Sequence, residues 1–168
     1  MTNSTTSCAL HAHRRRSNHL LVALVWLHVP LNAAATAAIG NPWIDLMFAS
    51  LAVALVVSAT SYLSTSQAAI AITNAVALMV TISLLLAGFS GHHWQIDIHM
   101  YYFAALAMIS IYCDWRAIVA AAATVAVHHL VLDYALPAAI YPGGTDLARV
   151  ALHAVVLVIE AAALVWLG

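Results

Sequence analysis

The chain has 168 residues, of which 65% are apolar and only 7% charged. Soluble domains carry about 25% charge, so a water-soluble globule of this size is excluded and lipid is the solvent that fits. Five arginines, no lysine and a net charge of −1 leave no basic field for phosphate, which excludes a nucleic-acid partner.

A helix needs about 20 apolar residues to cross the ~30 Å hydrocarbon core. Six segments meet that length and predict an all-α, polytopic membrane protein with six transmembrane helices in one bundle. Residues 1–17 read as a disordered polar tail, and 18–168 as the six-helix domain. Span one runs from Asn18 to Ile39 and stops at Gly40, Asn41 and Pro42. Span two, Trp43 to Leu63, stops at Ser64, Thr65 and Ser66. Span three, Gln67 to Phe89, stops at Ser90 and Gly91. Span four runs from Trp94 to Cys113, ahead of Asp114, Trp115 and Arg116. Span five, Ala117 to Leu136, stops at Pro137, before a loop with Tyr141, Pro142, Gly143 and Gly144. Span six runs from Asp146 to Gly168.

Arg14, Arg15 and Arg16 precede span one, and Arg116 follows span four. Six spans put these four arginines and both termini on one side, which the positive-inside rule assigns to the cytoplasm. Arg149 is the exception. A second reading takes the arginines and the small residues Asn32 to Ala37 as a cleaved signal peptide, which leaves five spans. Trp43, Trp94 and Trp115 stand at span ends as interfacial anchors. Cys8 and Cys113 lie too far apart in sequence for a CxxC site.

Ten histidines are the unusual count. His11, His13 and His19 read as surface residues of the tail. His28, His99, His128, His129 and His153 fall inside four different spans. At ~1.5 Å per residue they sit roughly 8–17 Å below the outer ends of those spans, in one layer. Further polar residues accompany them at helical spacing: Asn32, Gln95, Asp97, Asp133, Arg149 and Glu160. Ionisable residues in lipid are costly and mark function by default, although a polar network that joins helices uses the same residue types.

Neutral imidazole is the commonest metal ligand, and its second ring nitrogen usually bonds a carboxylate, carbonyl or water. His28, His99, His128, His129 and His153 are therefore the candidate ligands, with Gln95, Asp97, Asp133 and Glu160 as their supports. Tyr101 and Tyr102 follow His99 and have hydroxyls to offer. A haem b takes one or two axial histidines, with Ala120 to Thr124 making room for the macrocycle and Arg149, His92 and His93 meeting its propionates. A bare copper, iron or zinc ion uses more of the histidines. His128 and His129 point about 100° apart on a helix, and the shared face with Asp133 turns His129 inward.

Three strings carry a family resemblance: GHHWQIDIHMYYFAALA, CDWRAI, and VHHLVLDYALPAAIYPGGTDLARVALHAV. They resemble the N-terminal membrane sensor region of bacterial methyl-accepting chemotaxis proteins, which also occurs before diguanylate cyclase domains. The WLHVPLN segment of span one shares the likeness, which covers roughly residues 18 to 168. The matching positions are His28, His92, Gln95, Asp97, His99, His128, His129, Arg149, His153 and Glu160, while Asp133 stands where the pattern has asparagine. The resemblance implies a receptor module in the bacterial inner membrane, as a homodimer, with a cytoplasmic signalling domain beyond span six in a full-length relative.

The combined expectation is a sensor with haem b in the outer half of the bilayer, responding to redox state or a diatomic gas through span six. The alternative is a bare copper, iron or zinc site serving as a metal sensor or a membrane oxidoreductase. A transporter needs polar residues on both sides of the layer, and the inner side has few. Protonation of the histidines without any metal gives a pH sensor.

Overall fold

A computed structural model describes residues 2–135 and 147–167. The described residues are predominantly helical, with short turns between helices and no strand among them. The elements are α1 (Thr2–Ala38), α2 (Ile44–Leu63), α3 (Gln67–Gly88), α4 (Gln95–His99), α5 (Tyr101–Ile109), a 3-10 turn (Ser110–Tyr112), α6 (Trp115–Ala135) and α7 (Leu147–Leu167).

Helices α1, α2, α3 and α7 contain stretches long and apolar enough to cross a membrane: Ala12–Ala38, Ile44–Leu63, Gln67–Gly88 and Val150–Leu167. Helix α6 carries a shorter apolar stretch, Trp115–Val131. The expected fourth span is interrupted. Its residues form α4, α5 and the 3-10 turn, none long enough alone to span the hydrocarbon. At the break the His99 ring nitrogen Nδ1 lies 3.1 Å from the Gln95 carbonyl, one turn back; His28 makes the same contact with Leu24 inside the unbroken α1, so this bond does not by itself interrupt the helix. The next amide, Met100 N–H, bonds the Asp97 carbonyl three residues back at 3.1 Å, the tighter 3-10 pattern.

Helix α1 begins at Thr2, within the segment read as a polar tail. Its residues 13–17 dock on the end of the α5 segment. Arg14 donates to the carbonyls of Tyr112 (3.2 Å) and Cys113 (2.9 Å) and lies 3.6 Å from the Asp114 carboxylate. His13 reaches the Ile111 carbonyl at 2.7 Å. These are the orphan carbonyls of a helix C-terminus, which cations satisfy.

Helix ends follow their residues. Gly40, at φ +80°, closes α1, and the Asn41 amide bonds the Thr36 carbonyl at 3.1 Å, the left-handed stop that glycine permits. Ser66 caps α3 by accepting from the Ala69 amide at 3.3 Å, and Asp114 caps α6 by accepting from the Arg116 amide at 3.1 Å. The expected stop at Pro137 and the loop with Tyr141 to Gly144 lie outside the described residues.

Helix α3 is the hub. It packs on α1, α2, α5 and α6, while α7 leans on α6 and α5 at the edge. The core joins Leu78, Met79, Ile82 and Leu86 of α3 to Leu106, Ile109, Tyr112 and Ile118. Polarity is reversed relative to a soluble domain. His28, Asn32, Ser50, Asn74, Thr81 and Gln95 are fully buried. Leu27, Phe48, Leu55, Val127, Leu152, Val158 and Ile159 face outward. Outward apolar residues on this scale mark a lipid-facing surface, and the inner polar groups join helices. Asn32 donates to Ser50 Oγ at 2.8 Å and to the Thr81 carbonyl at 3.0 Å, linking α1, α2 and α3.

Candidate functional site

The break after α4 gathers histidines from three elements. His99 ends α4, His129 lies on α6 and His153 on α7. Their ring centres form a triangle: His99 to His129 5.4 Å, His129 to His153 5.7 Å, His99 to His153 6.3 Å. His99 is 5% exposed, His129 6%. Tyr102 of α5 closes one side, 6.3 Å from His99 and 6.1 Å from His129. His128 stands on the far side of Tyr102, at 5.5 Å, and perpendicular to His129 at 5.4 Å. A cavity of about 210 Å³ opens among His99, Tyr102, His129 and His153, walled by Phe103, Val125, Leu130 and Leu157.

Two imidazoles have assigned tautomers. The Nδ1 of His99 faces the Gln95 carbonyl, and the Nδ1 of His28 faces the Leu24 carbonyl at 2.8 Å. A carbonyl only accepts, so each Nδ1 carries the proton and each Nε2 keeps its lone pair. That is the arrangement a metal-binding histidine uses. The carboxylates expected as supports are thus replaced at these two positions by main-chain carbonyls of the same helix.

The remaining candidates divide. His28 is fully buried but stacks on Tyr101, ring centres 5.6 Å apart. Gln95 is buried, and its side-chain carbonyl accepts from the Gly91 amide at 3.1 Å, so it shapes the turn before α4. Asp97 is exposed. His92 lies among His93, Trp94 and Phe89 at the start of the α4 segment. Glu160 is half-buried, with one carboxylate oxygen lacking a partner. Asp133 and Arg149 fall on α6 and α7, and their side chains lie outside the described residues.

Tyr102 carries more of the site than Tyr101. It is 2% exposed, and its hydroxyl pairs with Ser83 Oγ of α3 at 2.7 Å. Ser83 had no signal in the sequence beyond its place in an apolar helix. The two carbonyl supports had one: a histidine always has an acceptor four residues back on a helix.

Among the described residues no group of three or more His, Cys, Asp and Glu side chains stands ready-made around a metal ion. The three rings nevertheless line one cavity. Imidazole nitrogens lie ~2.0–2.1 Å from a tetrahedral zinc, which puts ring centres around a shared ion about 5 Å apart. The edges of 5.4, 5.7 and 6.3 Å are wider than that, so an ion would have to draw the rings inward as well as turn their nitrogens toward one point. A haem fits less well. With any two of these rings as axial ligands, the third lies within the disc the macrocycle must occupy. The cavity is also smaller than the ~300–1,000 Å³ of ordinary cofactor sites. The alanines expected to admit the macrocycle do other work. Ala121 is fully buried in the core, and Ala122 and Ala123 line an apolar groove between α6 and α7.

Comparison with protein families, with curated proteins and with solved structures finds no match for this chain.

Proposed function

We propose that the chain is a membrane-embedded sensory module that binds a single copper, iron or zinc ion through His99, His129 and His153. The observation that carries this reading is the triangle of ring centres, 5.4, 5.7 and 6.3 Å on its edges. The carbonyl-fixed tautomer of His99 and the unpartnered, buried Nδ1 of His129 support it. Three neutral imidazoles leave an open coordination position, where the ion would act as a Lewis acid or change redox state. Tyr102, held by Ser83, keeps one side of the cavity closed.

The sensory part rests on the likeness to chemotaxis-receptor membrane regions and on the position of α7. That helix contributes His153 and packs mainly along α6, with fewer contacts to α5. In this reading the interrupted α4–α5 segment and α6 also cross the bilayer, giving six spans with both termini in the cytoplasm of a bacterial cell. Binding pulls on His153 from two inner elements, so occupancy biases the position of α7. A ligand shifts such an equilibrium only by its differential affinity for the two states. Dimerisation and a cytoplasmic output domain belong to the same proposal.

Elemental analysis and a visible spectrum of the purified protein test it. The expected result is about one metal ion per chain without a Soret band, and at least about ten-fold less metal in His129→Ala. A Soret band with sharp α and β bands on reduction returns the site to haem b. Colourless, metal-free protein with normal stability reduces the cluster to a network joining helices.

A further inference from the structure

A second cavity lies at the opposite end of the long helices, independent of the histidine cluster. It is a groove of about 630 Å³ where the start of α1, the end of α2 and the start of α3 meet. Helix α1 presents Arg15, His19 and Val22 to it, at spacings of four and three residues, so one stripe runs from charged to apolar. Helix α2 and its C-terminal turn supply Ser61, Tyr62 and Ser64. Helix α3 supplies Gln67 and, deeper, Ile70.

Three observations point to an anionic ligand with hydroxyls. First, among the described residues no acidic side chain lines the groove. The neighbouring Arg14 is paired with Asp114, while Arg15 is turned to the groove. Second, Asn18 on the groove wall is only 8% exposed. Its amide nitrogen donates to Gln67 at 2.9 Å, and its carbonyl oxygen has no partner. Ser61 Oγ is likewise buried without a partner. An acceptor and a hydroxyl left bare in this way cost free energy until a ligand bonds them. Third, the groove lies at the same end of three candidate spans, Ala12–Ala38, Ile44–Leu63 and Gln67–Gly88, where lipid headgroups sit. Basic pockets between spans at that level bind anionic headgroups.

We infer that this groove binds the headgroup of an anionic, hydroxyl-bearing phospholipid. The phosphate lies against Arg15 and His19, a headgroup hydroxyl donates to Asn18 Oδ1, and Val22 and Ile70 meet the first acyl carbons.

Native mass spectrometry of the full chain, released from phosphatidylglycerol/phosphatidylcholine bilayers, tests this. The wild type should retain phosphatidylglycerol over phosphatidylcholine. Arg15→Gln should lower that preference about five-fold, and Arg15→Gln with His19→Gln further. Arg16→Gln, an equal loss of charge on an exposed neighbour outside the groove, should leave it within two-fold of wild type, by roughly the screening of exposed charge. Equal losses in Arg15→Gln and Arg16→Gln would overturn the inference, since general surface charge then explains the retention. So would retention of both lipids without preference. Competition by inorganic phosphate at millimolar concentration, with no residual preference for the lipid, would keep the phosphate chemistry and assign the groove to the free anion. Arg15→Lys, which keeps the charge, should restore most of the retention and excludes misfolding as the cause of loss.

Discussion

At the scale of single residues, the five histidines expected within the spans do not act alike: His28, His99 and His129 are buried, His128 and His153 half-buried. His28 shares the carbonyl-fixed tautomer but stacks on Tyr101 instead of joining the triangle. His28→Ala should therefore cost stability, about 2–4 kcal/mol for a cavity in a packed interior, yet leave metal content unchanged. Thermal unfolding beside elemental analysis separates the two effects, and loss of metal in this variant would enlarge the site beyond three ligands. Part of the residue-level geometry was legible: helical phase turned His129 inward, where it is found 6% exposed. The choice between Tyr101 and Tyr102 was not legible. The two are about 100° apart on a helix, and their phase relative to His99 depends on the break at Met100, which no local residue preference announces.

At the scale of elements, the boundaries of α2 and α3 were legible because serine, glycine and proline punctuate them. The interruption of the fourth span was not. Its polar residues Gln95, Asp97 and His99 read as site residues of a continuous helix, and no glycine or proline marks the break at Met100. The docking of α1 was hidden because His13 and Arg14 gain their partners, Ile111 to Asp114, from a segment about a hundred residues later. Close approach between elements is sharpest at Gly88, where an added Cβ would collide with the Thr36 hydroxyl of α1 and touch Leu46 of α2. Small residues let membrane helices come this near. Gly88→Ala should destabilise by about 1–3 kcal/mol, and adding Thr36→Ala should recover part of that. A double-mutant cycle read by unfolding checks it: strict additivity would show that the two positions are not in contact.

At the scale of the whole molecule, the class was legible from composition, since 7% charge cannot clothe a soluble globule. The neighbour relations were not, because the long apolar helices carry leucine, valine or alanine on several faces, and lipid accepts any of them. That α3 became the hub follows from its polar residues. Asn74 donates to Tyr112 Oη at 2.7 Å, Ser83 pairs with Tyr102, and the Thr81 carbonyl accepts from Asn32. These groups must find partners where water is absent. The six-span reading puts exposed Cys113 on the side of the N-terminal arginines. In a Cys8→Ser background, an impermeant maleimide should label Cys113 in inside-out vesicles and not in intact cells. Labelling from outside would reverse the orientation or change the number of crossings.

The central claim is that three imidazoles converge on one ion. X-ray absorption at the metal edge of the purified, as-isolated protein tests it most directly. Three imidazoles on one ion would give about three nitrogens at ~2.0–2.1 Å, with their ring scattering, and one further oxygen or nitrogen ligand. The scattering of four porphyrin nitrogens, or an ion without imidazole neighbours, would contradict it.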